Sequence, residues 1–578
     1  MRFALTVSLF VSACTLLAGA PARAADPQLP SMGSSAGTIA SPEELRQYGF
    51  YVLHELRNQE MVQDDALLSD YINTLGYRLV AYSPKSDQPF TFFVVRDADI
   101  NAFALPGGFI GINSGLITTT TTESELAAVL AHEISHVTQQ HLVRAVEAER
   151  KYAPLMVLAM IGAIAASVHQ SPGSTSNADM GALATAQGLI QQMQINFTRA
   201  DESEADRLGI QTLARANFDP NAMAEFFQRM QRALRPGFDE SDVPALLMDH
   251  PVTLERISEA KARAVAVKKE EAQRRAALST STAQTPSVSS MLLLPSLKSG
   301  SSAMPAEAAR PAEDRKTQRA RSEAYYLLMR ERTRVLDAPQ VSTVVAYYAE
   351  NLRNNPAFAT LPNQYGYALA LVRTGKAKQA HEIAEKLARE NPDNLVLQLA
   401  MGHTLLMSGQ RDASLKLYAE LEHRYPDNHA LVIEHAQALL QVRDKPSARQ
   451  AQALLRPQLS SNDEDPQLQT LFARACELAG DPIRAGEAHA DAAYLNGRAE
   501  DALNQLKALA KRTDLDYYQR SRIEARIAQM TPIVLDLRRR KIRPEDQGKF
   551  APTASMCIAQ ACANVSSRSA STAKRHWP

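Results

Sequence analysis

Thr122-Glu123-Ser124-Glu125-Leu126-Ala127-Ala128-Val129-Leu130-Ala131-His132-Glu133-Ile134-Ser135-His136 decides how the amino-terminal half of this 578-residue chain is read. Thr122, three residues before Glu125, forms a capping-box pattern and predicts a helix running through Leu130 and His136 to about Ala145. On such a helix His132 and His136 project from one face, one turn apart, at a spacing that suits chelation of one Zn²⁺. Glu133 falls beside them, placed to take a proton from a water that the zinc activates and to hand it to a leaving amine. Leu126, Ala127, Val129 and Leu130 make the helix apolar enough to be buried, where histidines and a carboxylate without partners would be costly.

A catalytic zinc needs a third protein ligand and an open position. His141 qualifies by residue type, but it is one residue short of the third histidine of the HExxHxxGxxH arrangement, and the glycine of that arrangement is missing. Glu202, in Thr198-Arg199-Ala200-Asp201-Glu202-Ser203-Glu204-Ala205-Asp206, is the better candidate. Glu202 and Asp206 share one helix face, so Glu202 would ligate the metal while Asp206 orients a ligating histidine. Acidic pairs at this spacing are most often solvated surface, and only the motif upstream favours the metal. A purely structural zinc site is disfavoured, because Glu133 is not needed to hold metal and no cysteine lies nearby.

Upstream of the motif, Tyr48, Tyr51, Val52 and Leu56, then Leu67, Tyr71, Ile72 and Leu75, recur at helical spacing and predict two helices between Pro42 and about Ser83. Phe90 to Val95 reads as a strand, with another at Phe109-Ile110-Gly111-Ile112 after the turn Pro106-Gly107-Gly108, so a small sheet precedes the metal motif. The apolar segment Ala153 to Val168 contains Pro154 and Gly162 and is shorter than the roughly 20 residues of a membrane span. It predicts a buried hairpin or a lid near the site. Beyond His250-Pro251 the helical pattern decays into a Ser/Thr/Pro/Ala stretch from Leu278 to about Pro311, interrupted by Met291-Leu292-Leu293-Leu294.

The carboxy-terminal half repeats itself. Gly375 and Gly409 are 34 residues apart, as are Pro392 and Pro426 in the matching turns Asn391-Pro392-Asp393-Asn394 and Tyr425-Pro426-Asp427-Asn428. That period, with helical apolar spacing, is the signature of tetratricopeptide repeats, helical hairpins that bury their faces by stacking. About four to six hairpins are expected between Ser322 and Met530, followed by an Ala/Ser/Thr-rich tail from Lys549. The fold class is therefore mainly α: an α+β domain with a small sheet, then an α-solenoid.

Lys+Arg and Asp+Glu balance at 63 each, which argues against nucleic acid as a partner. Arg2, the apolar run Phe3 to Ala20 and the pattern Ala22-Arg23-Ala24 read as a secretory signal peptide cleaved after Ala24. The minor alternative is a lipoprotein site at Cys14, which would give peripheral membrane association. Cys476, Cys557 and Cys562 are too few for a disulfide scaffold, and the spacing of Cys557 and Cys562 allows both a pair and two free thiols.

Asn101 through Gly108, the HExxH helix, Phe197-Thr198-Arg199 with Glu202 and Ala205-Asp206, and His250-Pro251 with Arg256 occur in an order that resembles the metallopeptidase family of the CAAX prenyl endopeptidase and the HtpX heat-shock protease. The resemblance covers roughly Ser41 to Arg263. It implies that His132, His136 and Glu202 are zinc ligands, Glu133 the general base, and Asp206 and Arg256 outer residues bracing the site. His250 would polarise the substrate carbonyl or cap the zinc in a closed state, and Phe109, Ile110, Gly111 and Ile112 would form the edge strand that an extended peptide joins. With the leader and the repeats, it implies a periplasmic endopeptidase acting on unfolded or misfolded outer-membrane proteins, its concave repeat surface holding a client or the β-barrel assembly machinery. The rival expectation is a chaperone or scaffold whose peptidase is latent. The expected layout is a signal peptide (1–24), a zinc metallopeptidase domain (25–266), a linker (267–320), a repeat domain (321–545) and a tail (546–578).

Overall fold

The computed structural model describes residues 41–145, 199–233, 246–247, 250–281 and 312–542. The expected leader with Cys14, the apolar segment 153–168, the 291–294 island, Cys557, Cys562 and the tail lie outside them. Helix α1 (Pro42–Asn58) opens on a complete capping box, in which the Ser41 hydroxyl accepts from Glu44 N–H and the Glu44 carboxylate accepts from Ser41 N–H. Helix α2 (Ala66–Val80) is capped by Asp65 and buries Leu68, Tyr71, Ile72, Leu75 and Leu79 along one side. These are the two helices that the apolar spacing predicts.

A three-stranded sheet follows, made of β1 (Thr91–Val95), β2 (Ala102–Leu105) and β3 (Phe109–Asn113) in the order β1-β3-β2. β1 and β3 run parallel, and β2 is antiparallel to β3 through the Phe103–Gly111 and Leu105–Phe109 pairs. The sequence expectation for the edge strand is thereby corrected. Phe109, Ile110, Gly111 and Ile112 occupy the central strand, hydrogen-bonded on both sides and wholly buried, so no peptide can be added there. The edge beside the metal motif belongs to β2, whose run Ala102-Phe103-Ala104-Leu105 has no β-branched residue to signal a strand.

After the short helix α3 (Ser114–Thr119) comes α4 (Glu123–Thr138), with Thr122 as N-cap. Every residue from Glu123 to Ser135 is buried. The helix does not continue unbroken to Ala145. Gln140 takes a left-handed conformation (φ 56°), ending α4 at Thr138 before a helical turn resumes over 141–145. Residues 199–215 form α5, followed by α6 (Ala222–Ala233) and α7 (Leu254–Ser281).

The second half begins with α8 (Ala312–Leu336) and α9 (Val341–Asn354). Four helical hairpins then stack: α10 (Leu361–Arg373) with α11 (Ala377–Glu390), α12 (Leu395–Met407) with α13 (Arg411–Arg424), α14 (His429–Val442) with α15 (Lys445–Leu455), and α16 (Pro466–Ala479) with α17 (Pro482–Leu495). Helices α18 (Ala499–Ala510) and α19 (Tyr517–Ile542) close the stack. The 34-residue period is visible in the joints. Asn394 and Asn428 cap α12 and α14 by accepting from Leu397 N–H and Leu431 N–H, and Gly375 and Gly409 end α10 and α12 with φ of 78° and 89°.

The repeats curl back onto the first half. The first helices of successive hairpins lie side by side, and α2 packs against α14 and α8 on that layer. Tyr326 of α8, fully buried, hydrogen-bonds to Thr120, while Glu323 accepts from the backbone N–H of Glu123 at the start of α4. The inner surface expected to hold a client is thus partly covered by the chain's own helix α2. Among the described residues no helix is long and apolar enough to cross a membrane.

Candidate metal centre

Helix α4 supplies His132, Glu133 and His136, α5 supplies Glu202 and Asp206, and His250 approaches from the turn before α7, which carries Arg256. His132 Nε2 lies 3.0 Å from His136 Nε2, and each is 3.4 Å from an oxygen of Glu202. His250 Nδ1 lies 3.4 Å from His132 Nε2 and 2.7 Å from Glu202 Oε1. Its Nε2 lies 3.7 Å from Glu133. The sequence candidates His132, Glu133, His136, Glu202, Asp206, His250 and Arg256 therefore meet in one place.

Proton bookkeeping tests whether this cluster fits a metal. His132 Nδ1 faces the Asp206 carboxylate at 3.0 Å and must donate to it. A neutral His132 then has only a lone pair at Nε2, aimed at His136 and at the anionic Glu202. Such convergent lone pairs repel one another unless a metal ion, or in its place a proton on Nε2, lies between them. Metal–ligand bonds of about 2.0–2.1 Å in a tetrahedron place the donor atoms about 3.3 Å apart, which the observed separations approach. The donor set fits Zn²⁺ in kind and in spacing.

Electrostatics shows that the site draws in positive charge. Burial opposes a charge on His132, but Glu202 and Asp206 outweigh it and raise its pKa to about 10 in the metal-free chain, where a proton on Nε2 takes the place a metal would fill. Burial pushes His136 down to about 3. Glu202 is driven far below the carboxylate range, its burial overcome by His132, His136 and His250. Burial also opposes the charge of Asp206, yet contacts with His132 and Arg256 hold its pKa low. Arg256 grips both Asp206 oxygens at 2.9 Å and reaches Glu202 at 2.8 Å, so the outer carboxylate and the proposed ligand share one guanidinium.

Two features of the site escape sequence reasoning. A small apolar pocket with a cavity volume of about 20 Å³ adjoins His132 and His250, walled by Val129, Met223, Phe226, Phe227 and Leu246. Its walls come from α4, α6 and residue 246, which no local pattern links. The other is His141, which lies against His136 together with Asp201, Glu204 and Arg144.

Fold and site define a metallopeptidase joined to a tetratricopeptide solenoid. The peptidase family M48 pattern matches residues 67–264 and a tetratricopeptide repeat pattern matches residues 371–441. The chain is 30% identical over 527 residues to the β-barrel assembly-enhancing protease of Escherichia coli K12, covering 91% of this chain and 96% of that one. It is likewise 30% identical over 502 residues to the Yersinia pestis protein of that name, across 87% and 91% of the two chains. A Vibrio cholerae relative is 42% identical over 238 residues, which span 41% of this chain and only 47% of the relative. The chain belongs to the family of β-barrel assembly-enhancing proteases, metal-dependent peptidases of family M48.

Proposed function

We propose that this protein is a periplasmic zinc endopeptidase that degrades misfolded or stalled outer-membrane proteins and assists their assembly. The observation that carries the chemical part is the convergence of His132, His136 and Glu202 donors beside the buried Glu133. The relatives' names support the link to β-barrel assembly, and the leader pattern at residues 1–24 supports export. Zn²⁺ held by His132, His136 and Glu202 would supply Lewis acidity toward the scissile carbonyl and lower the pKa of the attacking water. Glu133 takes the proton from that water and delivers it to the leaving amine. Asp206 and Arg256 hold the His132 ring in the tautomer that leaves Nε2 free to bind.

The substrate backbone pairs with β2. Asn113 N–H donates to Asn101 at 3.0 Å, which makes 101/113, 103/111 and 105/109 the hydrogen-bonded pairs of the ladder and turns the N–H and C=O of Ala102 and Ala104 outward. No strand pairs with that outer edge among the described residues. The apolar lining beside His132 and His250 then packs against a side chain flanking the scissile bond. The repeat half presents clients or the β-barrel assembly machinery, through surface that α2 does not cover.

One observation favours the second reading, an assembly chaperone with a latent peptidase. His250 lies across the donor set, 2.7 Å from Glu202, as a fourth donor that closes the open position. In the first reading substrate displaces His250, whose ring then polarises the scissile carbonyl. Glu133→Gln separates the two readings, because it removes the base and leaves the proposed ligands intact. The expected result is zinc retained and cleavage of an unfolded outer-membrane protein lost. If wild type also fails to cleave, and both proteins support barrel assembly equally, the chaperone reading replaces the peptidase.

A further inference from the structure

His141 lies outside the donor set yet is buried against it. Its Nδ1 is 2.9 Å from the Nδ1 of His136, the two rings meeting edge to face at 86°. Its Nε2 is 3.2 Å from Glu204 and 3.6 Å from Asp201. Arg144 bridges the same two carboxylates at 3.0 and 2.8 Å.

The direction of these bonds follows from counting protons. His136 turns Nε2 toward His132 and Glu202, so as a metal ligand it offers a lone pair there and carries its proton on Nδ1. That proton is donated to His141 Nδ1. A neutral His141 accepting at Nδ1 has its own proton on Nε2, which it donates to Glu204. Arg144 in turn fixes the carboxylates. His132 is braced by Asp206 and Arg256, and His136 is braced by an equivalent path through different residues.

The backbone shows that this placement is built. In an uninterrupted helix a residue five positions on lies about 140° around the axis, so His141 could not face the His136 ring. The break after Thr138 and the left-handed Gln140 (φ 56°) swing it back. A left-handed non-glycine residue is strained, and such strain persists where the surrounding structure enforces it.

We propose that His141 is a positioning residue of the metal centre: with Glu204, Asp201 and Arg144 it fixes the tautomer and orientation of His136 and strengthens it as a donor. This rests on reading His132, His136 and Glu202 as the metal ligands. His141 is not assigned a second ion, because Arg144 already occupies the carboxylates a cation would need.

The test is zinc affinity in the full-length protein, measured by competition with a chromogenic chelator after adding Zn²⁺ to the metal-free chain, with metal-free folding checked by circular dichroism. His141→Phe keeps the ring volume and removes both nitrogens, and is expected to bind zinc about 10–100-fold more weakly. His141→Asn restores an acceptor near the Nδ1 position and is expected to recover part of that loss. Unchanged affinity in His141→Phe overturns the proposal, as does a wild-type stoichiometry of two zinc ions with one lost in His141→Phe. His136→Ala is the control: if it keeps zinc, the metal-site reading fails and this inference falls with it. If it loses zinc while His141→Phe does not, only the bracing role fails. Should His141→Phe not fold, Asp201→Asn/Glu204→Gln decides, with a loss of about ten-fold expected and no loss overturning the proposal.

Discussion

Arg332 of α8 holds both carboxylate oxygens of Asp65, the residue that caps α2, with Nε–Oδ1 and Nη2–Oδ2 distances of 2.7 Å. The same guanidinium donates to Tyr365 of α10 at 3.2 Å, so one pair, each side chain only 13% exposed, ties the cap of a peptidase helix to the first helices of the solenoid. Removing one partner of a fully buried pair costs about 3–5 kcal/mol, and the partial exposure of this one brings the cost to about 2–3 kcal/mol. Arg332→Ala should lower unfolding stability by that amount, and Asp65→Ala somewhat more because a helix cap worth about 1 kcal/mol goes with it. In urea titrations the double variant should cost clearly less than the sum of the singles. Additive losses would show that the two residues are not coupled.

His429 makes a second tie, and it is pH-dependent. Its Nδ1 lies 3.2 Å from Asp70 of α2 and its Nε2 lies 2.9 Å from Asp465, the cap of α16. Burial opposes the imidazolium, but the two aspartates raise the His429 pKa to about 10. A folded value above the unfolded one of about 6.5 means that this stabilisation is complete below about pH 6.5 and is lost as pH rises through about 10. His429→Gln should therefore be less stable than wild type near pH 6, with the difference shrinking toward pH 10. A gap between the unfolding curves that stays constant over that range would contradict the assignment.

Two glycines with the same backbone separate local from long-range cost. Gly375 (φ 78°) ends α10 with nothing near the position a Cβ would take, so Gly375→Ala should cost only the left-handed conformation, about 1–2 kcal/mol. Gly497 (φ 74°) presses on the first half, where an added Cβ would come within 2.0 Å of the His54 carbonyl oxygen. Gly497→Ala must therefore also push α17 and α18 away from α1. The expected signature is faster protease cleavage between the two halves in Gly497→Ala alone, and equal cleavage in both variants would refute the contact.

These ties mark the limit of what the sequence discloses. The HExxH helix, the Glu202–Asp206 pair and the 34-residue period are local patterns, and local patterns were legible because helix geometry converts spacing directly into a shared face. Which strand lies at the sheet edge was not legible, since Phe109 to Ile112 and Ala102 to Leu105 are both short apolar runs and strand order depends on pairing. His141 falls one residue short of the HExxHxxGxxH spacing and lacks that motif's glycine, which speaks only to a role as ligand and not to a contact with His136. The contact depends on the left-handed Gln140, and no glycine announces that break in the helix. Arg332, His429 and Gly497 looked like ordinary solenoid residues, because nothing in a repeat motif says that another part of the chain will lie on it.

The strand order also yields a prediction about substrate. Ala104 forms a non-hydrogen-bonded pair with Ile110, so its N–H faces away from β3 and toward the free edge. Proline at this position removes only that outward donor, and edge strands tolerate proline. Phe103→Pro is the contrasting change: Phe103 pairs with Gly111 within the ladder, and losing its N–H should destabilise the sheet itself. If an extended substrate adds to β2, Ala104→Pro should keep the wild-type unfolding midpoint and zinc content. The lost hydrogen bond, worth about 1 kcal/mol, should lower kcat/KM on an unfolded outer-membrane protein about five-fold. Undiminished kcat/KM in a folded, zinc-loaded Ala104→Pro would mean that substrate reaches Glu133 without pairing to β2.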